Sequence, residues 1–289
     1  MNGAPPSSRE PLPLVPAVSL QVFQGRAGDR NELAVEGARA VGEALGSRLG
    51  LGYATVGKPA PALGLDWAAE LGAALPDLRA MADRLDALLC DGRRPVAALS
   101  RCAVAMATLP IVARHRPDAC VVWLDAHADL HTPETTASGY LGGMALAAPL
   151  GLWQSGLGAG LALRSIVLAG QRKIDPAEAE CIERAGLALL APAPDLPGRL
   201  RAAVAGRPVY VHVDCDVLRT GLVPTEYTND EGLSLVELRA ACESLAESEI
   251  VGVEVAEFQI SWRKGGPPVC PALLVDALAP LLNSVTRPG

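Results

Sequence analysis

No run of about 18 consecutive apolar residues free of Gly, Pro or charge occurs in the 289-residue chain, so no segment reads as a membrane-spanning helix. The N-terminus lacks a basic region followed by an apolar core, which argues against a secretory signal. There is no Cys-x-x-Cys pair. The seven cysteines are scattered and odd in number, the usage expected of reduced thiols in a cytoplasmic protein. Lys and Arg form no cluster and the net charge is −7, which makes nucleic acid a poor partner. No Gly/Ser-rich linker divides the chain, so residues 18–289 are expected to form a single domain. Residues 1–17 are rich in Pro, carry no periodic apolar pattern, and are expected to be a flexible tail. What is present is apolar material in quantity, 50% of all residues, enough to bury a substantial core.

Short apolar runs alternate with amphipathic ones along the whole chain. Strands are expected over 18–23, 53–56, 96–99, 121–124, 165–169, 187–190, 209–213 and 250–255. Helices are expected to open at Asp29-Arg30-Asn31-Glu32 and at Asp66, and then over 103–114, 176–184, 197–205, 234–247 and 270–282. That alternation predicts a mostly parallel sheet covered by helices on both faces, an α/β three-layer architecture. In such sheets ligands bind beyond the carboxyl ends of the strands.

Two of those strand ends carry unusual residues. Val121-Val122-Trp123-Leu124 runs directly into Asp125-Ala126-His127-Ala128-Asp129. If the backbone stays extended there, Asp125, His127 and Asp129 project to one side. Val209-Tyr210-Val211-His212-Val213 runs likewise into Asp214-Cys215-Asp216, and the strand near 250 is followed by Glu257. Taken alone, Asp-x-His-x-Asp also fits a loop that caps a helix. Four carboxylates and an imidazole converging at strand ends are costly to bury without a cation, and as hard donors they suit Mn²⁺ better than zinc.

These residues resemble the signatures of the arginase/agmatinase ureohydrolase family. The likeness lies in Asp125-Ala126-His127-Ala128-Asp129-Leu130-His131-Thr132-Pro133-Glu134-Thr135-Thr136-Ala137-Ser138-Gly139, in Asp214-Cys215-Asp216 with Pro224 and Thr228, and in the placing of Glu257. It extends from about residue 18 to the C-terminus. The resemblance implies an arginase-like fold, a two-Mn²⁺ centre and hydrolysis of a guanidine C–N bond by metal-activated water. By position it gives Asp125 and Asp214 to both metals, His127 and Asp216 to one, and Asp129 to the other and to proton transfer. Glu257 matches the carboxylate that pairs with the substrate guanidinium, Thr136 and Ser138 match positions that hold an α-carboxylate, and Thr228 matches a position beside the substrate. Asp175 matches the residue that recognises the α-amino group, with Glu178 supporting it. Read without the resemblance, Asp175 is an acidic helix start.

The departures from the family pattern carry information of their own. A metal-binding histidine is expected after the strand near 96–99, but Ala98-Leu99-Ser100-Arg101-Cys102 places Cys102 there, either as a softer thiolate ligand or as a buried neutral thiol. Tyr140-Leu141-Gly142-Gly143 puts Gly142 where arginases have a proton-shuttling imidazole. His131 replaces an asparagine beside the substrate carboxylate, and Tyr140 and Tyr227 replace smaller residues, either narrowing the pocket or stacking on the substrate, or else simply packing. With Leu152-Trp153-Gln154-Ser155-Gly156 and Pro224-Thr225-Glu226-Tyr227-Thr228, these features resemble the branch that converts Nω-hydroxy-L-arginine to L-ornithine and hydroxyurea in D-cycloserine biosynthesis. An N-hydroxylated guanidine is less basic than arginine's and is expected to depend less on a general-acid shuttle, whose contribution is typically ~10²–10⁴ in rate. Hydrolysis of another guanidino compound, and a metal-weak pseudoenzyme subunit, remain as alternatives. The expected partner is a small guanidino substrate, and the chain is compatible with a monomer or a homo-oligomer.

Overall fold

The computed structural model describes residues 18–287, so the tail expected over 1–17 lies outside the described residues. The apolar runs become eight strands: β1 (Val18–Phe23), β2 (Tyr53–Val56), β3 (Arg94–Ala98), β4 (Cys120–Leu124), β5 (Ile166–Ala169), β6 (Ala188–Leu190), β7 (Val209–Asp214) and β8 (Ile250–Ala256). They form one sheet in the order β2-β1-β3-β8-β7-β4-β5-β6, with every pairing parallel. Both faces of the sheet are covered. Along β4, Val121 and Trp123 enter one apolar cluster while Cys120, Val122 and Leu124 enter the other, the two-residue alternation of a strand buried on both sides.

The helices that cover it are α1 (Leu33–Leu49), α2 (Trp67–Cys90), α3 (Ala105–His115), α4 (Pro176–Ala185), α5 (Leu196–Val204), α6 (Leu235–Leu245), α7 (Ala272–Ala277) and α8 (Ala279–Val285). Leu78, Met81 and Leu85 of α2 and Leu109 of α3 pack on one face of the sheet. Val41 and Leu45 of α1, Leu200 of α5, Leu238 of α6 and Leu281 of α8 pack on the other. Asp66 caps α2, its carboxylate accepting from the amides of Ala68 at 3.0 Å and Ala69 at 3.1 Å. Two expectations need correction. The helix expected over 270–282 is two helices meeting at Leu278, because Pro280 has no N–H to continue the ladder and instead sits in the first turn of α8. Asp29 does not open a helix. It is buried, and α1 begins at Leu33.

The sheet order matters for the site. β3 and β4 are consecutive in sequence, yet β8 and β7 lie between them. The carboxyl ends of β3, β8, β7 and β4 therefore stand side by side, and the segments that leave them carry the acidic residues singled out above.

Candidate functional site

β4 ends at Leu124, so the alternation expected for Asp125, His127 and Asp129 does not set their directions. The chain bends through 125–127 and Asp129 adopts φ 52°, a left-handed conformation that L side chains avoid. Glu257, just past β8, has φ 66°. Two of the four non-glycine residues with positive φ among the described residues are thus candidate site carboxylates, the kind of backbone strain that a surrounding structure must hold in place. Gly170, after β5, also has positive φ (96°), and a Cβ on it would meet Val217 at 2.4 Å and the Asp125 carbonyl at 3.2 Å.

The ligand-type atoms gather in overlapping groups. Donor atoms of Cys102, Asp125 and Asp129 lie within 4.8 Å of one another, and so do those of Asp125, His127 and Asp216 and those of Cys102, Asp214 and Glu257. His127 Nδ1 is 3.0 Å from Asp216 Oδ2 and 3.4 Å from Asp125 Oδ1. Asp125 is fully buried, and Asp129, Asp214 and Asp216 nearly so. Burial, with the charges of the neighbouring aspartates, pushes Asp129 and Asp214 well above the usual carboxylate range, and Asp125 up to about 6. Burial acts on Asp216 as well, but the hydrogen bond and charge of His127 outweigh it and hold Asp216 low. Burial opposes the charge on His127, and its hydrogen bonds to Asp125 and Asp216 overcome this and push it up to about 12.

So much buried negative charge with one imidazolium calls for further cations. The donor set of carboxylate oxygens, one imidazole and one sulfur fits a hard divalent metal, with Cys102 as its soft exception. Burial and the charges of Asp214 and Glu257 push the Cys102 thiol far up. Its Sγ lies 3.1 Å from Asp214 Oδ2 and 3.2 Å from His212 Nε2.

Behind Cys102 runs a buried polar chain. His212 Nδ1 is 2.7 Å from Glu254 Oε1, and the other Glu254 oxygen accepts from Thr108 and from the Tyr210 hydroxyl, each at 2.8 Å. The His212 ring stacks on Trp123 with centroids 3.6 Å apart, while Trp123 Nε1 donates to Asp125 Oδ2 at 3.0 Å. Cys215, between the two aspartates, is buried in the second apolar cluster.

Glu257 is held from two sides. Its Oε1 accepts from the Cys102 amide at 2.9 Å and its Oε2 from Arg101 Nη1 at 2.9 Å. Arg101 is completely buried and also reaches Asp29 at 3.0 Å and Glu226 at 2.6 Å. No local pattern announces this cluster, because its members come from four separate segments.

A cavity of about 300 Å³ opens over these groups. Cys102, His127, Asp129, Asp214, Asp216 and Glu257 line its floor, and His131, Ser138, Tyr140 and Asp175 line its sides. Tyr227 and Asn229 also line it, and Asn229 Nδ2 is 3.4 Å from His127 Nε2. Asp175 precedes α4 as its N-cap, and its amide donates to Glu178 at 3.0 Å while its carboxylate meets His131 Nε2 at 3.0 Å. Asp175 is thus the helix start that its acidity suggests and also part of the cavity wall. Thr136 and Thr228 are not on the cavity wall. The Thr136 hydroxyl is buried without a partner among the described residues, and Thr228 lines an adjoining hollow with Arg172 and Lys173.

With that geometry in view, comparisons with known proteins agree on one relationship. A profile of the Arginase family matches residues 69–262. The chain is 38% identical over 267 residues to the N(omega)-hydroxy-L-arginine amidinohydrolase of Streptomyces lavendulae, covering 92% of this chain and 98% of that one. It is 31% identical over 189 residues to the arginase of Bacillus caldovelox, covering 59% of this chain and 62% of that protein. Among solved structures, the native Bacillus caldovelox arginase superposes with a TM-score of 0.78 at 24% identity, covering 94% and 98% of the two chains. The proclavaminate amidino hydrolase of Streptomyces clavuligerus superposes with a TM-score of 0.68 at 19% identity over 93% and 92%. These two likenesses speak for the fold.

Proposed function

Because the chain belongs to the arginase family, we propose that it hydrolyses Nω-hydroxy-L-arginine, the substrate in its Streptomyces relative's name, to L-ornithine and hydroxyurea, using two Mn²⁺ ions. The observation that carries the proposal is one cavity whose floor joins intact carboxylate ligands to Cys102, and whose wall has Gly142 in place of an acid–base side chain. A substrate whose guanidine is already made less basic by an N-hydroxyl suits such a site.

Asp125, Asp214, Asp216, His127 and Asp129 would hold the metal ions, with Cys102 as a further ligand. Bound manganese supplies Lewis acidity and a water that ionises near neutral pH. The protein's own groups do the rest. Glu257, aimed by Arg101 and the Cys102 amide, orients the guanidine carbon over the floor by pairing with its N–H groups. Asp129 takes the proton released as water adds, and returns one to the departing ornithine nitrogen. Asp175, Ser138 and His131 hold the amino-acid end, with Thr136 and Thr228 in support from behind the wall. Residues 18–289 act as one catalytic domain, since all eight strands join in a single sheet. Seven free cysteines suit a cytoplasmic setting, and release of hydroxyurea suits a place in D-cycloserine biosynthesis.

The test is paired: Mn²⁺ content per chain, and ornithine release from Nω-hydroxy-L-arginine beside L-arginine. Metal bound and a strong preference for the hydroxylated substrate are expected. Equal or better use of L-arginine would overturn the substrate assignment, and a chain that takes up no metal would leave a binding subunit in place of an enzyme.

A further inference from the structure

Gly142 and Tyr140 exchange space. A Cβ built on Gly142 would lie 2.3 Å from Tyr140 Cε1 and 2.8 Å from Cζ, so the phenol ring fills the volume that any side chain at 142 would need. The ring is fixed on its other sides as well. Tyr227 lies 5.5 Å away between centroids, and the Arg30 guanidinium sits 4.8 Å from the Tyr140 centroid. The ring lines the cavity, yet its hydroxyl is shut off from solvent and finds no hydrogen-bond partner among the described residues.

A buried hydroxyl without a partner is costly, and a ligand entering the cavity is the remaining source of one. Tyr140 shares the cavity lining with Glu257, and the charges that act on the phenol most strongly are those of Glu257 and its partner Arg101, the pair at the guanidine end. Burial, with the charge of Glu257, keeps the phenol protonated, so it is available as a donor. A guanidinium offers N–H donors and no acceptor, which leaves the phenol proton unmatched. An N-hydroxyguanidine adds an oxygen with lone pairs at that end.

We propose that Tyr140 is a specificity-determining residue whose hydroxyl donates a hydrogen bond to the N-hydroxyl oxygen of the substrate, from the space that Gly142 leaves open. This assignment rests on the functional reading above. A site built to hydrogen-bond one polar atom rejects the analogue that lacks it far more strongly than an apolar pocket rejects a missing methylene.

The experiment compares kcat/KM for Nω-hydroxy-L-arginine and L-arginine in the Mn²⁺-loaded wild type, in Tyr140→Phe and in Gly142→Ala. Phe keeps the ring against Gly142 and removes only the donor; Ala keeps the donor and pushes the ring aside. The ratio of the two kcat/KM values is expected to fall by about tenfold or more in each variant. An unchanged ratio in Tyr140→Phe, or an equal fall on both substrates, overturns the role of Tyr140 while leaving the functional reading standing. A wild type with no preference for the hydroxylated substrate overturns the functional reading and this inference with it.

Discussion

Arg101 Nη1 stands 2.9 Å from Glu257 Oε2, so the carboxylate proposed to receive a substrate guanidinium is already paired with one from its own chain. Burial opposes the arginine's charge, but the carboxylates of Glu257, Asp29 and Glu226 outweigh it and raise its pKa. The pair leaves Glu257 anchored and aimed without exhausting its lone pairs, since a carboxylate can accept about four hydrogen bonds. Replacing Arg101 by Met would leave three buried or half-buried carboxylates without their cation. Breaking a buried pair from one side typically costs about 3–5 kcal/mol. Urea denaturation of Arg101→Met should show a loss of that size, with Arg101→Lys between it and the wild type. A Met variant as stable as the wild type would show that the pair does not hold Glu257.

The metal-free protein should lose stability as the pH rises, relative to the metal-loaded one. A group whose pKa is higher in the folded chain keeps its proton there after the unfolded chain has released it, so its contribution declines across the interval between the two values. For Asp125 that interval runs from 3.8 to about 6, and for His127 from 6.5 to about 12. Bound metal takes the place of those protons. The gap in Tm between loaded and chelated protein should therefore widen steadily with pH, and calorimetry at a series of pH values would show a constant gap if this were wrong.

Cys102 should be the weak point of the metal centre. Its thiol must give up a proton that burial, Asp214 and Glu257 all help it to keep, and thiolate is a poor match for Mn²⁺. Cys102→His should tighten uptake of the second ion, measured as metal per chain after equilibrium dialysis at limiting Mn²⁺. Cys102→Ala should lower it. Identical stoichiometry in all three proteins would remove Cys102 from the ligand set.

Asp129→Asn should separate function from stability. As the proposed proton carrier, Asp129 is expected to contribute about 10²–10⁴ in kcat. In the metal-free chain the same substitution removes a buried charge that burial and Asp125 both disfavour, so the variant should melt higher than metal-free wild type. Near-normal turnover would rule out the proton role.

Much of this fold could be read directly from the chain. Residues such as Val121, Val122 and Leu124 form an unbroken apolar run because their strand is buried on both sides, and Asp125 and Asp214 are conspicuous for ending such runs. The expected strands fall within a residue or two of those observed, with 18–23 and 53–56 matched in full. What escaped was whatever depends on long-range contact or on backbone conformation. Arg101 and Glu257 are 156 positions apart, and nothing local to either announces the other. The direction of Asp129 depends on a left-handed turn that no alternation rule anticipates. Pro280, read as part of one helix, divides two. Gly142 was legible as a missing side chain, but the ring of Tyr140 occupying its place was not.

The strand order has a consequence for how the protein comes into being. Cys102 and the Asp125–Asp129 segment are synthesised early, just after β3 and β4, but these strands do not touch each other. β7 and β8 must both slot between them before Asp214, Asp216 and Glu257 join the earlier residues. A nascent chain arrested short of residue 256 therefore holds only fragments of the centre, and a gap in the middle of its sheet. Metal loading belongs to the end of synthesis, and chains that stall before β8 should emerge as open-edged, aggregation-prone intermediates that added Mn²⁺ does not rescue.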